Sequence, residues 1–354
     1  MDLIYAWIWI YKRFFEEKVK ILYFTVIAIA RTMIYIFAPA YQISGGPEAL
    51  QQMCYYLRNL GKEAVIVFYN IESDNPMPSR YLIYQNPWIS PDDVVDVASN
   101  TVVVPERRPL LLNHINNCKK MIWWLSKDNF VYEKAPLFKT LKFHAKNLLR
   151  INVISLDTRY CSFNLSECTH LCGSKYAYEY VKNELKMPDV SYCVEPISLD
   201  FLKIGAFNDT AHRTDTILYN PSKPSELMTR LIERRNFTYK PLRGYSPIEL
   251  SSLYRTSKLY LDFGSFPGPE RIPKEAVYFG CHILVGYRNA AMNDFDVAIP
   301  EQYKIKNLEN VEFVETKIKE MLANFEEQHS DFVQFQQKVC RLEDGFKDSL
   351  SRVF

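Results

Sequence analysis

The feature of this sequence that most constrains its fold is a repeated succession of apolar runs, polar loops and amphipathic stretches. The first example joins the run MIYIFAP (33–39), the loop SGGP (44–47), a helical pattern that ends at Gly61, and the run AVIVFY (64–69). Apolar runs without polar alternation are typical of strands that are buried on both faces of a parallel sheet. The sequence therefore predicts a β-loop-α-β unit at this position.

The same succession continues through two series of apolar runs. In the first series, strands are predicted at 101–106, 120–126 and 151–156, and a helix is predicted at 139–149. The second series begins near Asp215, and its predicted strands are TDTILYN, FTYKPL, KLYLDFG and HILVG. Alternating β and α units of this kind specify doubly wound parallel sheets. We therefore predict an α/β fold with two Rossmann-type domains.

The length of the chain fits this division. A chain of 354 residues exceeds the usual size of one domain and can bury a large core. We place the N-terminal domain at 32–205 and the C-terminal domain at 206–330, because a polar segment with Pro196 and Gly205 separates the two series. The charged segment 331–354 is predicted to form a C-terminal helix.

Residues 1–31 are predicted to form a helical extension that lies at a membrane surface. Their apolar run 21–30 has ten residues, whereas a spanning helix needs about 20. Trp7, Trp9 and nearby basic residues suit the headgroup level of a bilayer, and no small-residue cleavage site of a secretory signal follows. We therefore expect a cytoplasmic protein that is peripheral on the inner face of the cell membrane. The alternative is a helix that packs on the rest of the chain.

The charge and the cysteines argue against two kinds of site. The net charge of +2 gives no broadly basic surface, so no nucleic-acid partner is expected. Cys161, Cys168 and Cys172 lie near His170, but they lack the paired Cys-x2-Cys spacing of structural zinc sites. We therefore predict no bound metal.

Three loops that follow predicted strands carry the candidate binding residues. Two doubly wound domains place the carboxyl ends of their strands around a shared cleft, where ligands bind. Paired glycines let a backbone approach a ligand, a helix N-terminus favours anions, and lysine and arginine pair with phosphate. The candidates are Gly45 and Gly46 in the first loop, Asn220 and Lys223 in the second, and Glu270, Arg271, Lys274 and Glu275 in the third. A tight turn, a solvated lysine and internal ion pairs are the structural alternatives for these loops.

Several segments of the sequence resemble bacterial GT-B glycosyltransferases that are encoded in capsule and surface-polysaccharide gene clusters. They are GGPEAL, VVVPE, IWWLSKDNF, THLCGSKYAYEYV, YNPSKPSEL and LYLDFGSFPGPERIPKEAVYFGC, and the resemblance covers about residues 32–330. It implies a GT-B-like fold and metal-independent transfer of a sugar from a nucleotide-sugar donor to a glycan or lipid-linked acceptor. The nucleotide sugar is then a substrate, so the resemblance implies no cofactor.

The resemblance also implies roles for the residues that bind the donor. Lys223 and Arg271 would hold its diphosphate, with Lys274 as a weaker candidate, and Glu275 would hold the ribose. Glu275 and the alanine after it match the second half of a retaining signature that contains two glutamates. The first glutamate would fall at Pro267, so the resemblance leaves a retaining or an inverting outcome open.

On the N-terminal side, the resemblance implies that Gly45 and Gly46 let the acceptor or the diphosphate approach the backbone. An inverting enzyme also needs a base near the acceptor hydroxyl. The candidates for this base are Glu48, Glu106 and Asp128. The sequence does not rank these three acids.

Two other functions are compatible with the sequence. The segment Asp294-Phe295-Asp296 matches the Asp-x-Asp motif of metal-dependent transferases. Pro267, which replaces the expected glutamate, motivates a non-catalytic assembly protein of a polysaccharide complex that keeps the GT-B fold. A Rossmann dehydrogenase is disfavoured, because no G-x-G-x-x-G follows the first strand.

Overall fold

The computed structural model describes residues 32–130 and 163–354 of the chain, except Pro224 and Pro269. The described part contains two parallel β-sheets with helices packed on them. The predicted α/β fold with two doubly wound sheets is therefore confirmed. The predictions that lie outside the described residues are the extension 1–31, the helix 139–149, the strand 151–156 and any role of Cys161.

The N-terminal sheet contains seven described strands, and its neighbouring strands are parallel. They are β1 Met33–Pro39, β2 Glu63–Tyr69, β3 Trp88–Ile89, β4 Thr101–Pro105, β5 Lys119–Trp124, β6 Thr169–Cys172 and β7 Val190–Tyr192. Their order across the sheet is β3-β2-β1-β4-β5-β6-β7. The chain therefore winds outward in one direction from β1 and in the other from β4, and the N-terminal switch point lies between these two strands.

Side chains that alternate along β1 fill two separate cores. Ile34, Ile36 and Ala38 belong to the core on one face of the sheet, whereas Tyr35 and Phe37 belong to the core on the other face. This division follows from the two-residue period of a strand and explains why MIYIFAP has no polar alternation. The described α-helices of this domain are α1 Gly45–Asn59, α2 Lys175–Glu179 and α3 Leu199–Ile204.

The C-terminal sheet contains five described strands, which also pair in parallel. They are β8 Thr214–Tyr219, β9 Thr238–Pro241, β10 Ser257–Asp262, β11 His282–Gly286 and β12 Lys304–Ile305. The α-helices between them are α4 Glu226–Arg234, α5 Pro247–Thr256 and α6 Arg271–Tyr278. The strand order is β12-β11-β10-β8-β9, so the C-terminal switch point lies between β8 and β10.

The last part of the chain returns to the N-terminal domain. Its helices are α7 Val311–Ala323, α8 Phe325–Gln328, α9 Ser330–Cys340 and α10 Leu342–Val353. The segment predicted as a single helix, 331–354, thus contains two helices that meet at Arg341. Helices α7 and α9 pack on the C-terminal core. Helix α10 packs on the N-terminal core, where the ring of Phe346 stacks on Trp123 with centroids 5.7 Å apart.

The predicted strands that fall on described residues are all present, with ends within two residues of the predicted ones. Strands β3, β6, β7 and β12 were not predicted, because they are only two to four residues long and show no extended apolar run. Within the described ranges, no helix combines the length and the apolar character that crossing a membrane requires.

Candidate functional site

A cleft of about 680 Å³ lies between the carboxyl ends of the two sheets. Its walls include the loops after β1, β4 and β5 on the N-terminal side and the loops after β8 and β10 on the C-terminal side. The strands at both switch points thus deliver loops to the same space, which is where open α/β sheets bind ligands. The predicted site residues that line the cleft are Gly45, Gly46, Glu48, Glu106, Asn220, Lys223, Glu270, Arg271 and Glu275.

Two predicted site residues, Lys274 and Asp128, are not among the described residues that line this cleft. The Lys274 side chain is 3% exposed, and its Nζ lies 3.1 Å from Glu195 Oε1. Lys274 borders a second cavity of about 640 Å³, which α9 and α10 also line. Asp128 accepts hydrogen bonds from Tyr176 Oη (3.1 Å) and Asn289 Nδ2 (2.9 Å). The Asp128 carboxylate therefore links the two domains.

Arg271 begins helix α6 and reaches across the domain boundary to α1. Its Nη1 lies 2.7 Å from Glu48 Oε2, and its Nη2 donates a hydrogen bond to Gln52 Oε1. Burial opposes the charge of the guanidinium, but the Glu48 carboxylate outweighs this effect and raises the pKa of Arg271 above its ordinary value. The contact between Nη1 and Glu48 is an ion pair without hydrogen-bond geometry. The Nε–H has no hydrogen-bond partner among the described residues. The Arg271 side chain is thus a cation that is 10% exposed and has an unused hydrogen-bond donor at Nε.

Glu48, the partner of this cation, is 5% exposed. Its Oε1 accepts a hydrogen bond from Tyr84 Oη (2.8 Å), and Arg80 Nε lies 3.8 Å from its Oε2. Burial alone would raise the pKa of Glu48, but Arg271 and Arg80 lower it below its ordinary value. A carboxylate that is held in its charged form is a weak proton acceptor. Glu48 therefore suits the positioning of Arg271 better than base catalysis.

Glu106 follows β4 and is 3% exposed. Its carboxylate accepts hydrogen bonds from the backbone N–H groups of Leu125 (3.1 Å) and Ser126 (3.2 Å). Burial raises the pKa of Glu106 to about 7 in spite of these bonds. A carboxyl group with this pKa can take up and release a proton near neutral pH. Of the three candidate bases, Glu106 combines a position in the cleft with suitable proton affinity.

Lys223 and Glu270 face each other on the C-terminal wall of the cleft. Lys223 Nζ forms an ion pair with Glu270 Oε2 and donates to the carbonyl oxygen of Ser265 (3.1 Å). Asn220 Oδ1 accepts a hydrogen bond from the Ser222 N–H (3.0 Å), which shapes the turn that carries Lys223. Burial raises the pKa of Glu270, and the charge of Lys223 opposes that rise. An anion in the cleft would compete with Glu270 for Lys223.

Glu275 lies one turn along α6 from Arg271 and is 6% exposed. Tyr254 Oη donates a long hydrogen bond of 3.5 Å to its Oε2. Burial raises the pKa of Glu275 to about 7, and the positive charge of Arg271 offsets part of the rise. A carboxyl group that is close to half protonation can accept a hydrogen bond from a ligand hydroxyl or donate one to it.

Glycines allow close contact between the two domains. A Cβ atom on Gly268 would lie 2.2 Å from the carbonyl oxygen of Leu125, so the loop after β10 fits against the loop after β5 only without a side chain. A Cβ atom on Gly45 would lie 3.4 Å from Arg271 Cδ. Gly45 begins α1, and within the described structure the side chain of Ser44 does not cap this helix. Gly45 and Gly46 line the cleft, so their N–H groups at the start of α1 are potential hydrogen-bond donors to an anion there.

Three residues that support the site were not predicted from the sequence: Gln52, Arg80 and Glu195. Gln52 anchors Arg271, and it lies four residues after Glu48 on the same face of α1. That spacing was the one local signal available for Gln52. Arg80 and Glu195 lie outside the strand-to-helix loops of the predicted units. Only the tertiary packing brings these two charges to the site, Arg80 beside Glu48 and Glu195 beside Lys274.

The residues considered for a metal site are engaged elsewhere. Asp296 accepts hydrogen bonds from the backbone N–H groups of Lys175 (2.7 Å) and Tyr176 (3.0 Å), and Asp294 pairs with Lys304 Nζ at 2.7 Å. Buried His170 accepts a hydrogen bond at Nδ1 from a tryptophan indole N–H (3.0 Å). In the part of the chain that the structure describes, no three His, Cys, Asp or Glu side chains are placed to hold a metal ion together.

No protein-family model matches this sequence, and no curated protein matches it. Solved structures do share its fold. A glycosyltransferase from Rickettsia africae is 12% identical, with a TM-score of 0.55 over 92% of this chain and 100% of that chain. Sucrose-phosphate synthase from Thermosynechococcus elongatus is 9% identical, with a TM-score of 0.57 over 91% of this chain and 98% of that chain.

A third similar structure is the glycotransferase of kitacinnamycin. It is 8% identical, with a TM-score of 0.52 over 91% of this chain and 98% of that chain. At such low identities these likenesses establish the fold: two doubly wound domains that face a cleft, as in GT-B proteins. The predicted GT-B-like fold is therefore confirmed.

Proposed function

We propose that this protein is a glycosyltransferase that moves a sugar from a nucleotide-sugar donor to a glycan or lipid-linked acceptor without a metal ion. The observation that supports the proposal most directly is the cleft at the two switch points, which combines cations, an uncapped helix N-terminus and buried carboxyl groups. Of the three similar structures of the same fold, one is named a glycosyltransferase, one a glycotransferase and one a sucrose-phosphate synthase. The segments that resemble capsule enzymes support an acceptor from surface-polysaccharide synthesis.

In this proposal the C-terminal wall binds the donor. Lys223 and Arg271 bind the diphosphate, because both are cations in the wall of the cleft. Lys223 exchanges its ion pair with Glu270 for the diphosphate, and Glu275 binds the ribose hydroxyls. Lys274 supports α6 from the side of the second cavity. The cleft volume of about 680 Å³ lies within the usual range for small-ligand sites.

Glu106 is the base on the acceptor side of the cleft. Its carboxylate takes the proton of the acceptor hydroxyl as that oxygen bonds to the anomeric carbon and the nucleoside diphosphate leaves. Glu48 and Asp128 are less suited to this step, because Glu48 is paired with Arg271 and Asp128 bridges the domains. This proton transfer is the step that an inverting reaction requires.

The protein itself can stabilise the leaving diphosphate. Lys223, Arg271 and the N-terminus of α1 place positive charge around the cleft, and such preorganised groups are effective where water is excluded. Asp294 and Asp296, the residues of the metal-dependent alternative, border the second cavity instead. We therefore propose transfer without a metal.

A screen of nucleotide sugars tests the proposed function. The melting temperature of the protein is measured with UDP-glucose, UDP-N-acetylglucosamine, GDP-mannose and ADP-glucose, with EDTA or with Mg²⁺. We expect one of these donors to raise the melting temperature equally under both conditions and to be hydrolysed slowly. Binding that requires Mg²⁺ would favour the metal-dependent alternative. If no donor binds while a protein of a polysaccharide complex does, the chain is a non-catalytic assembly protein.

We also propose that residues 1–31 hold the protein at the inner surface of the cell membrane. The support is their sequence, in which Trp7 and Trp9 lie in a short apolar run that basic residues follow. Co-sedimentation with anionic vesicles compares the full chain with residues 32–354. We expect the shortened chain to fold and to remain in the supernatant. A shortened chain that still binds vesicles contradicts the proposal, and one that fails to fold supports packing of this segment on the protein.

A further inference from the structure

A small side pocket opens beside the cleft at the boundary between the domains. It measures about 60 Å³, and its walls are formed by Gly45, Gly46, Leu125, Ser126, Glu195, Gly268, Glu270 and Arg271. Six of these eight residues also line the cleft, whereas Glu195 and Gly268 line the side pocket but not the cleft. The pocket is therefore an extension of the cleft toward the segment that joins the domains.

Two buried polar atoms of the pocket walls lack partners. Glu195 Oε1 accepts a hydrogen bond from Lys274 Nζ (3.1 Å), but Glu195 Oε2 accepts none from the described residues. Arg271 Nε–H likewise donates to none of them. The side chains of Glu195 and Arg271 are 8% and 10% exposed. Leaving a buried donor and a buried acceptor unpaired is unfavourable, so an occupant of this pocket that pairs with both would be stabilised.

Glycines keep the space beside these two atoms open. A Cβ atom on Gly45 would lie 3.8 Å from Arg271 Nε, and one on Gly173 would lie 3.1 Å from Glu195 Oε2. A cavity needs about 10–15 Å³ to hold one water molecule. A pocket of about 60 Å³ therefore takes several groups of that size, such as the hydroxyl groups along one edge of a sugar. A hydroxyl group both donates and accepts hydrogen bonds, which matches the unpaired acceptor and the unpaired donor.

We infer that this side pocket recognises hydroxyl groups of the transferred sugar, and that Glu195 is a specificity-determining residue. One sugar hydroxyl donates its hydrogen to Glu195 Oε2, and the same edge of the sugar accepts a hydrogen bond from Arg271 Nε. Lys274 holds Glu195 in place from the other side. This inference rests on the proposed function, because it places the sugar of the donor beside the diphosphate that Arg271 binds.

The test separates recognition of the sugar from recognition of the nucleotide. Calorimetry gives Kd for UDP and UDP-glucose, GDP and GDP-mannose, and ADP and ADP-glucose with the wild-type protein and with Glu195→Gln. For the pair that binds the wild type most tightly, we expect Glu195→Gln to raise Kd of the nucleotide sugar about 10- to 100-fold and Kd of the diphosphate less than about 2-fold. This is the loss expected for a hydrogen bond to a charged acceptor.

Glu315→Gln is the matched control. Like Glu195, Glu315 has a side chain that is 8% exposed and an ion pair at 3.1 Å, here with Arg234, but it is not among the described residues that line the cleft or the side pocket. We expect this variant to leave both dissociation constants unchanged. Glu195→Asp, which keeps the charge for Lys274 but shortens the side chain, replaces Glu195→Gln if the latter does not fold, and should show the same selective loss.

The outcomes distinguish the two proposals. Equal weakening of diphosphate and nucleotide-sugar binding, or unchanged binding of both, overturns the role of Glu195 and leaves the proposed function intact. If the wild-type protein binds none of these nucleotides and nucleotide sugars, the proposed function is contradicted. The inference about Glu195, which rests on that function, is then contradicted too.

Discussion

Three glutamates in the cleft wall show how neighbouring charges divide the roles of one residue type. Glu48, Glu106 and Glu275 are all at most 6% exposed, so burial raises the pKa of each of them. Two arginines reverse this effect only at Glu48, whose pKa is lowered. The pKa values of Glu106 and Glu275 are raised to about 7. Charge pairing therefore separates a permanent counter-ion from two groups that can exchange protons.

Replacement of the proposed base tests this division. Glu106→Gln keeps the size of the side chain but removes the group that takes the proton. We expect kcat for sugar transfer to fall about 100- to 10,000-fold, while Kd of the donor changes little. The wild-type rate should rise with pH through about 7, because only the deprotonated form of Glu106 acts as the base.

The control for this experiment is Glu48→Gln, which should weaken donor binding through loss of the Arg271 contact rather than abolish proton transfer. The pH profile of kcat should persist in Glu48→Gln and disappear in Glu106→Gln. A transfer rate that Glu106→Gln leaves unchanged would show that another group takes the proton.

Glu275 should make the stability of the protein depend on pH. Its pKa is raised from 4.5 to about 7 on folding, so the unfolded chain releases this proton first as the pH rises. The contribution of Glu275 to stability is therefore full below about pH 4.5 and is lost as the pH rises to about 7. As the pH rises between these values, the free energy of unfolding of Glu275→Gln should gain up to about 3 kcal/mol relative to that of the wild type. Urea unfolding at several pH values measures both free energies. If the two proteins show the same pH dependence, the prediction is wrong.

At the scale of elements, α6 joins three different environments. Arg271 and Glu275 lie four residues apart and share one face of the helix, which borders the cleft. Lys274 leaves the helix toward Glu195 and the second cavity. The loop before α6 meets the N-terminal domain at Gly268. A single strand-loop-helix unit thus supplies residues of the cleft wall and a contact between the domains.

The close contact at Gly268 predicts a strong effect of a single methyl group. In Gly268→Ala the added Cβ would lie 2.2 Å from the carbonyl oxygen of Leu125, so the two loops must separate. We expect a loss of about 1–3 kcal/mol in the free energy of unfolding, the usual cost of overpacking. Denaturant unfolding measures this loss.

Gly345→Ala is the matched control for this substitution. Gly345 lies within α10, and a Cβ atom there would meet nothing within 4 Å. Alanine should stabilise this helix by about 0.5–1 kcal/mol. If Gly268→Ala is as stable as Gly345→Ala, the contact between the two loops does not restrict the fold.

At the scale of the whole molecule, the chain ends by crossing back to its first domain. Helices α7 and α9 cover the C-terminal sheet, but α10 packs on the N-terminal core. Phe346 is fully buried there and stacks on Trp123. The two domains are therefore connected both by the segment near Glu195 and by the passage from α9 to α10.

Truncation of the Phe346 side chain should destabilise the N-terminal domain. Phe346→Ala removes a fully buried ring from its core, and we expect a loss of about 3–5 kcal/mol in the free energy of unfolding. Phe313→Ala is the control, because Phe313 is 54% exposed and its loss should cost little. Equal stability of the two variants, measured by denaturant unfolding, would show that α10 contributes no packing energy to the N-terminal domain.

The sequence alone determined the fold class and the loops that form the cleft. Apolar runs and their periodicity are local properties, so the runs at MIYIFAP and KLYLDFG identified buried strands, and the carboxyl ends of those strands identified Gly45, Gly46, Lys223 and Arg271. Short strands such as β6 and β7 are not predicted, because three or four residues are too few to show a periodic pattern of apolar side chains. The same local rule predicts Asp128 and Lys274, yet they are not among the described residues that line the cleft.

Only the tertiary structure decided how the charged residues are paired. Arg271 meets Gln52, 219 residues away in the chain, and Lys274 meets Glu195, 79 residues away. These contacts depend on how the two sheets are placed, which no local pattern encodes. The proton affinities of Glu48, Glu106 and Glu275 follow from the same placement, because burial and nearby charge act through space. Local sequence therefore sets which elements form, whereas the chemistry of the cleft arises where distant elements meet.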